Sequence, residues 1–348
     1  MRHSWLTTLM IAAVLFDSCT KHEDIPQGQA IGFSASTVAQ TESVKATNIG
    51  TPTTDATLKS QSFGIYGLYS TVDGGTGTNV FDYSAPVEVK YTTDKITNNT
   101  CWTYTFDGAL YTEKKYWKRN MYYRFRAYHP YSANVLQAAS TADGLDLEYR
   151  VMTDQYDLLV ASAKRYPAYE GYDRVKMAFN HALCALKFKI AFKETVTPST
   201  YTDNIVHFYI KGLDAYGHLD YEGFGDDEVL TWEGKFNSRD RVYEWTGSKQ
   251  FGVKTGNYEP IYLMDEQECF FAIPQKCSDP SKGPTSIHLF TQKSGGTDGI
   301  DHTVNLEPLE WEAGKIYTYT LLVNKSDIEV SVSIEPWLTK QVPIDIYL

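Results

Sequence analysis

Cys19 is the residue whose surroundings dictate chemistry most directly. Leu6 to Phe16 is a run of eleven mostly apolar residues, broken only by Thr7 and Thr8, and Arg2 precedes it. A membrane span needs about 20 apolar residues, so the run suits the core of a secretory signal instead. The small residue Ser18 stands directly before Cys19. That placement reads as a lipoprotein signal: residues 1–18 are removed, and the Cys19 thiol is acylated as the new N-terminus. Several acyl chains (palmitate among them) on one cysteine would anchor stably, where a single chain binds only marginally. Phe16 and Asp17 depart from the usual Leu and small residue. An ordinary secretory signal cut elsewhere, leaving Cys19 unmodified, is therefore the competing reading.

Other reactive residues form no recognisable constellation. The chain has no Gly-x-Ser-x-Gly elbow, no phosphate-binding glycine loop and no His-Glu-x-x-His. Asp220 to Glu228 gathers acidic residues, but their spacing fits no EF-hand, and a solvated acidic turn is expected. Cys101, Cys184, Cys269 and Cys277 match no zinc spacing. A carboxylate pair for glycoside hydrolysis would meet only in space and leaves no mark in the sequence. No catalytic residue, metal or cofactor is assigned, and the protein is expected to be non-enzymatic. A net charge of −11 repels phosphate backbones and argues against nucleic acid as a partner.

The elements that would position these residues are strands. The 26 tyrosines outnumber the 24 glycines, a composition suited to pleated, half-buried surfaces. Gln61 to Tyr69 is apolar on both faces, as in a strand covered on both sides. Met121 to Tyr128 is a second strand. In Ala182 to Phe192 the residues Ala182, Cys184, Leu186, Phe188, Ile190 and Phe192 share one face, which makes Cys184 a buried small hydrophobe. Ile328, Val330, Val332 and Ile334 alternate with Glu and Ser. Val342, Ile344, Ile346 and Leu348 repeat that alternation at the end of the chain. Ala133 to Ala142 alone looks helical. Short strands between Gly- and Asp-rich turns predict an all-β chain of β-sandwich type, and the length predicts two of them. The expected order is a tether at 19–29, an N-terminal sandwich at 30–172 and a C-terminal sandwich at 173–348.

A set of anchors in fixed order resembles the fimbrillin-like (Mfa-like) proteins of Bacteroidota, which supply stalk, tip and anchor subunits of type V pili. These are Phe63-Gly64-Ile65-Tyr66, Tyr116-Trp117, Tyr123 to Pro130, Asp157 to Ala161, Phe179 to Leu183, Phe271 to Gln275, Trp311 to Tyr319 and Ile334 to Trp337. Lys21-His22-Glu23-Asp24 resembles the short acidic signal that sends Bacteroidota lipoproteins to the outer surface. Each anchor also has a plain structural reading. His181 reads as a hydrogen-bonded core histidine, and Gly314 as a turn before a strand that aligns Tyr317, Tyr319, Leu321 and Val323.

The resemblance implies two transthyretin-like β-sandwiches in tandem, an outer-membrane lipid anchor, and assembly into a fimbrium by strand exchange with other fimbrial subunits. A trypsin-like cut releases a first strand, and an alternating strand from another subunit fills the groove. Ala30 to Ser36 is the candidate first strand. No arginine occurs between Cys19 and Arg119, so Lys45 is the available cut site, unless it is an ordinary loop lysine. Val342, Ile344, Ile346 and Leu348 are either the donor strand or this subunit's own closing strand. Adhesion to a host or bacterial surface protein or glycan is the implied role. The alternative is a surface glycan-binding lipoprotein of a polysaccharide-uptake system, with Trp102, Trp117, Trp232 or Trp245 as stacking platforms.

Overall fold

Alternation at a period of two puts one face of each strand against a core, and the architecture follows from that pattern. The computed structural model describes residues 29–37, 50, 52–81, 84–140, 144–151, 154–166, 174–192, 203–234, 243–250, 260–293, 299–323 and 328–337. Cys19, Lys45, Val342, Ile344, Ile346 and Leu348 lie outside the described residues.

The chain opens with β1 (Phe33–Thr37) and the short helix α1 (Asp55–Ser60). The helix is held by a capping box in which the Thr57 amide donates to Thr54 Oγ1 at 3.2 Å and the Thr54 amide donates to Thr57 Oγ1 at 2.6 Å. Next come β2 (Ser62–Ser70), β3 (Thr78–Asn79), β4 (Val87–Thr93), β5 (Thr100–Thr103) and β6 (Tyr122–His129). A hairpin of β7 (Val135–Ser140) and β8 (Gly144–Arg150) leaves this sheet, and β9 (Leu159–Arg165) and β10 (Val175–His181) return to it. The first sheet runs β1-β10-β9-β6-β2-β4-β5, with β3 on β2. It curls so that β5 lies near β1.

The rest of the chain supplies β11 (Cys184–Phe192), β12 (Asp203–Lys211), β13 (Tyr216–Glu222), β14 (Val229–Gly234), β15 (Glu244–Gln250), β16 (Ile261–Tyr262), β17 (Phe270–Ala272) and β18 (Lys276–Cys277). It continues with β19 (Ser286–Lys293), β20 (Gly299–Asn305), β21 (Leu309–Glu310), β22 (Lys315–Val323) and β23 (Ile328–Pro336). Three further sheets run β14-β13-β8-β7, β15-β12-β19-β20 and β16-β11-β22-β23, with β17 on β11 and a small β18–β21 pair. The protein is therefore all-β, as its sequence pattern predicts. Among the described residues no helix is long and apolar enough to cross a membrane.

The described residues form two apolar cores. One gathers Phe33, Phe63, Phe125, Trp102 and Phe179, and the other gathers Phe188, Phe208, Phe270, Tyr317 and Trp311. Pairing crosses residue 172, where a division between sandwiches is expected. β10 hydrogen-bonds to β1 and β9, and β8 pairs with β13 along its whole length. A clasp on the outer face of the first sheet adds to this continuity. The Arg126 guanidinium lies 3.8 Å from the centre of the Phe224 ring and donates to the Gly223 carbonyl at 2.6 Å. Glu228 accepts from Ser162 at 2.5 Å and from Asn180 at 3.3 Å. The acidic run Asp220 to Glu228 is thus partly a structural tie, not wholly a solvated turn.

Local expectations meet mixed outcomes. β2, β6, β11 and β23 fall where alternation puts them. The segment around Ala133 to Ala142 is not helical but contains β7, with a bulge between Val135 and Gln137. Its alanines favour helix, but so short a helix does not pay for its own nucleation, while pairing with β8 satisfies the backbone. Cys184 is fully buried, with its thiol donating to the Ala272 carbonyl at 3.3 Å. Cys101, Cys184, Cys269 and Cys277 are all free thiols.

Candidate functional site: the edge strand and its groove

β1 is the strand that an exchange mechanism would need. It sits at the end of the first sheet and pairs in parallel with β10, Phe33 opposite Val175 through Thr37 opposite Phe179. Phe33, Ala35 and Thr37 point inward while Ser34 and Ser36 are half-buried, so one face is committed to the core. Phe33 is fully buried, with its ring edge-on to Phe125 at 5.5 Å and to Tyr104 at 6.0 Å between centroids. Burial of one such side chain contributes roughly 1.5–3 kcal/mol.

The segment before β1 pairs elsewhere. Ala30 bridges Tyr116 in antiparallel fashion, the Ile31 amide donates to the Lys115 carbonyl at 2.7 Å, and the Trp117 amide donates to the Gln29 carbonyl at 3.3 Å. The Tyr104 hydroxyl donates to the Ile31 carbonyl at 3.2 Å and accepts from the Lys115 amide at 2.8 Å. At the other end, the Thr37 amide and hydroxyl both donate to Asp55 at the start of α1. Of the candidate segment Ala30 to Ser36, Phe33 onward forms a regular strand that runs to Thr37, and the segment is held at both ends.

A second junction fixes the chain where it re-enters after residues 38–49. Gly50 exchanges backbone hydrogen bonds with Cys269 at 2.8 and 3.0 Å. The Thr53 amide donates to Asp157 at 2.9 Å, Asp157 is paired with His181 at 2.9 Å, and His181 lies against Trp337 just beyond β23. His181 ends β10 and is a hydrogen-bonded core histidine, as its setting suggests. Two of the undescribed segments are thus bordered by firmly fixed points: Thr37 and Gly50 on either side of 38–49, and Trp337 ahead of 338–348.

The four tryptophans weighed as sugar platforms divide. Trp102 and Trp117 are buried, and Trp232 and Trp245 are partly buried against the larger core. Sequence alternation does not flag Trp102, because its same-face neighbour within β5 is the polar, exposed Thr100. One carboxylate cluster escapes sequence reading: Asp146, His218 and Asp220 each offer a ligand atom within 4.8 Å of the others. Pairing of β8 with β13 sets Asp146 directly opposite Asp220. Burial, then the hydrogen bond that its protonated carboxyl makes to Asp220, raises the pKa of Asp146. The His218 imidazole, 3.0 Å from Asp220, already supplies a partner. A His-x-Asp alternation was its one visible trace in the sequence.

The fold has solved counterparts. A fimbrial protein from Bacteroides vulgatus is similar over 89% of this chain and 99% of its own, at 18% identity and a TM-score of 0.52. A candidate cell adhesion protein from Bacteroides ovatus is similar over 90% and 99%, at 12% identity and a TM-score of 0.50. At such identities the likeness shows the fold. No curated protein matches the chain. The fimbrillin-like family profile matches residues 46–337, which leaves β1 outside the matched region. The chain belongs to the fimbrillin-like family.

Proposed function

We infer that this protein is a cell-surface fimbrial subunit, in a stalk, tip or anchor position, that assembles by β-strand exchange and supports adhesion. The observation that supports this reading most is the placement of β1, a terminal strand with an apolar inner face, joined to the rest of the chain through the segment containing Lys45. Its removal would expose the backbone of β10 and the floor made by Phe125 and Tyr104, and an alternating strand can cover both. Val342, Ile344, Ile346 and Leu348 have that alternation. Two sandwich units, and an outer-membrane anchor through acylated Cys19, complete the reading.

The test compares the chain from Cys19 with a chain beginning at Ala46, each in wild-type form and with Ile344→Asp and Ile346→Asp together. Light scattering should find the longer chain monomeric and the shorter one polymeric or mixed with higher-order species. The double substitution should abolish that assembly. A shorter chain that stays monomeric and folded would overturn strand exchange. In cells, Lys45→Ala should leave the N-terminal strand attached, as read by mass spectrometry of the terminus. The same spectra report whether Cys19 carries acyl chains.

A further inference from the structure

We propose that the cleft between the end of α1, β4 and the loop after β6 is a binding site for a neutral saccharide, a short stretch of uncharged sugar chain. The cleft has a volume of about 520 Å³, within the size range of small-molecule sites. Tyr91, Tyr131 and Tyr156 give its walls ring surface, while Pro130 and Ala133 are its aliphatic side chains. Lys59, Glu88 and Lys90 are its charged groups.

The walls are held in place before any ligand arrives, which lowers the cost of binding. Tyr91 stands opposite Trp102 in the pairing of β4 with β5, and the two rings meet edge-on at 5.5 Å between centroids. The Tyr91 ring is nonetheless 38% exposed. The Tyr131 amide donates to the Ser62 carbonyl at 3.1 Å, which ties the loop after β6 to the first residue of β2. Gln61 Oε1 meets His129 Nε2 at 2.6 Å, and this leaves the Gln61 amide nitrogen as a donor for a ligand.

The charged groups of the cleft are engaged with the protein itself. Lys90 pairs with Glu88 at 3.1 Å and stands 4.8 Å from the centre of the Phe106 ring. The Lys59 ammonium stands 5.2 Å from the centre of the Tyr91 ring. An acidic ligand would have to draw a lysine out of these contacts, and a basic one would have to break the Glu88 pair. What stays open is uncharged: the hydroxyls of Ser62, Thr92, Tyr131 and Ser132 have no hydrogen-bond partner among the described residues. A sugar ring lays its apolar C–H face on a tyrosine and turns its hydroxyls to such groups. A peptide partner would need a pocket for an apolar anchor, and Pro130 and Ala133 make a poor one.

The cleft lies at the C-terminal end of α1, whereas the tie between Thr37 and Asp55 lies at its N-terminal end. Sugar binding and strand exchange therefore use opposite ends of one helix. The inference rests on the adhesive role proposed above, to which it gives a ligand class.

The experiment uses the chain from Cys19 on an array of neutral gluco-, galacto-, manno- and N-acetylglucosamine oligosaccharides, beside their sulfated and uronate counterparts and a pool of uncharged peptides. Calorimetry then measures the sugars retained. At least one neutral chain should bind, and its charged counterparts should bind no more tightly. Ser132→Trp, which fills the cleft from an exposed position, should weaken that binding at least about tenfold. Tyr131→Phe, which removes only a hydroxyl, should weaken it about fivefold. Melting temperatures should not change in either variant. Retention of charged sugars alone, of peptides in place of sugars, of no ligand, or of a neutral sugar that both variants still bind at full strength would overturn the proposal. Assembly of the chain from Ala46 is scored separately. Absent sugar binding with intact assembly sinks the cleft alone, and a monomeric Ala46 chain that still binds sugar sinks strand exchange alone.

Discussion

The imidazole of His181 lies flat on the indole of Trp337, with ring centroids 3.8 Å apart and planes within 9° of parallel. The indole also stacks on Phe271, with ring centroids 5.7 Å apart. Trp337 therefore joins the end of β23 and β17, which share one sheet, to the end of β10 in another. Among the described residues its buried indole N–H has no acceptor. Trp337→Ala should cost roughly 3–5 kcal/mol in chemical denaturation, as for large aromatic truncations in cores. Trp337→Phe should cost much less, because it removes an unsatisfied donor while keeping a ring against His181. Equal losses from the two substitutions would show that area alone governs the site.

His129 sets a pH dependence. It is buried, with Nε2 2.6 Å from Gln61 Oε1, and burial pushes its pKa down to about 4, against an opposing pull from Asp157. The unfolded chain, with an ordinary value of about 6.5, binds more protons below that pH. Stability should thus be full above pH 6.5 and fall between pH 6.5 and 4, by about 3 kcal/mol from this group. His129→Gln should flatten the slope of unfolding free energy in that window, measured by urea titration at fixed pH steps.

Gly50 admits no side chain. A Cβ there would stand 2.1 Å from the Phe271 ring. Gly50→Ala should destabilise by roughly 1–3 kcal/mol through overpacking, with the loss concentrated where the chain re-enters after residue 49. Hydrogen exchange at the Cys269 amide, which donates to Gly50 at 3.0 Å, should accelerate.

Phe33 anchors β1. Phe33→Ala in the uncut chain should cost roughly 3–5 kcal/mol, and a synthetic peptide spanning residues 30–37 should raise the melting temperature of the chain beginning at Ala46. The peptide carrying the same alanine should raise it far less. No effect of the wild-type peptide would mean that the groove does not persist once empty.

Arg126 is buried between Phe224 and the Gly223 carbonyl, and burial lowers its pKa from the usual arginine value. Arg126→Lys should still destabilise by about 1–2 kcal/mol, because an ammonium lacks the planar stack. Thermal melting of the full chain reads the difference.

Strands were legible wherever one face was buried, because alternation is then imposed by the core. β11 and β22 show this, with Phe188 and Tyr319 stacked across them at 5.6 Å. β7 was not legible: its backbone partner, β8, decides its state, and alanine propensity pointed the other way. β23 shows the limit of alternation as a measure of burial. Its Val332 and Ile334 are exposed, because the strand lies at the edge of its sheet.

The sequence alone determined the all-β class and the family resemblance, since each depends on local order of residues along the chain, and the same local order is the source of the proposed export signal with Cys19 and of the proposed exchange strand. Tertiary structure decided which residues meet. It joined Asp146 to Asp220, His181 to Trp337, and the 29–31 segment to Lys115 and Trp117, and it buried Trp102 and Trp117. Those meetings rest on long-range strand pairing, whose register is fixed by the packing of whole faces and not by any neighbour in sequence.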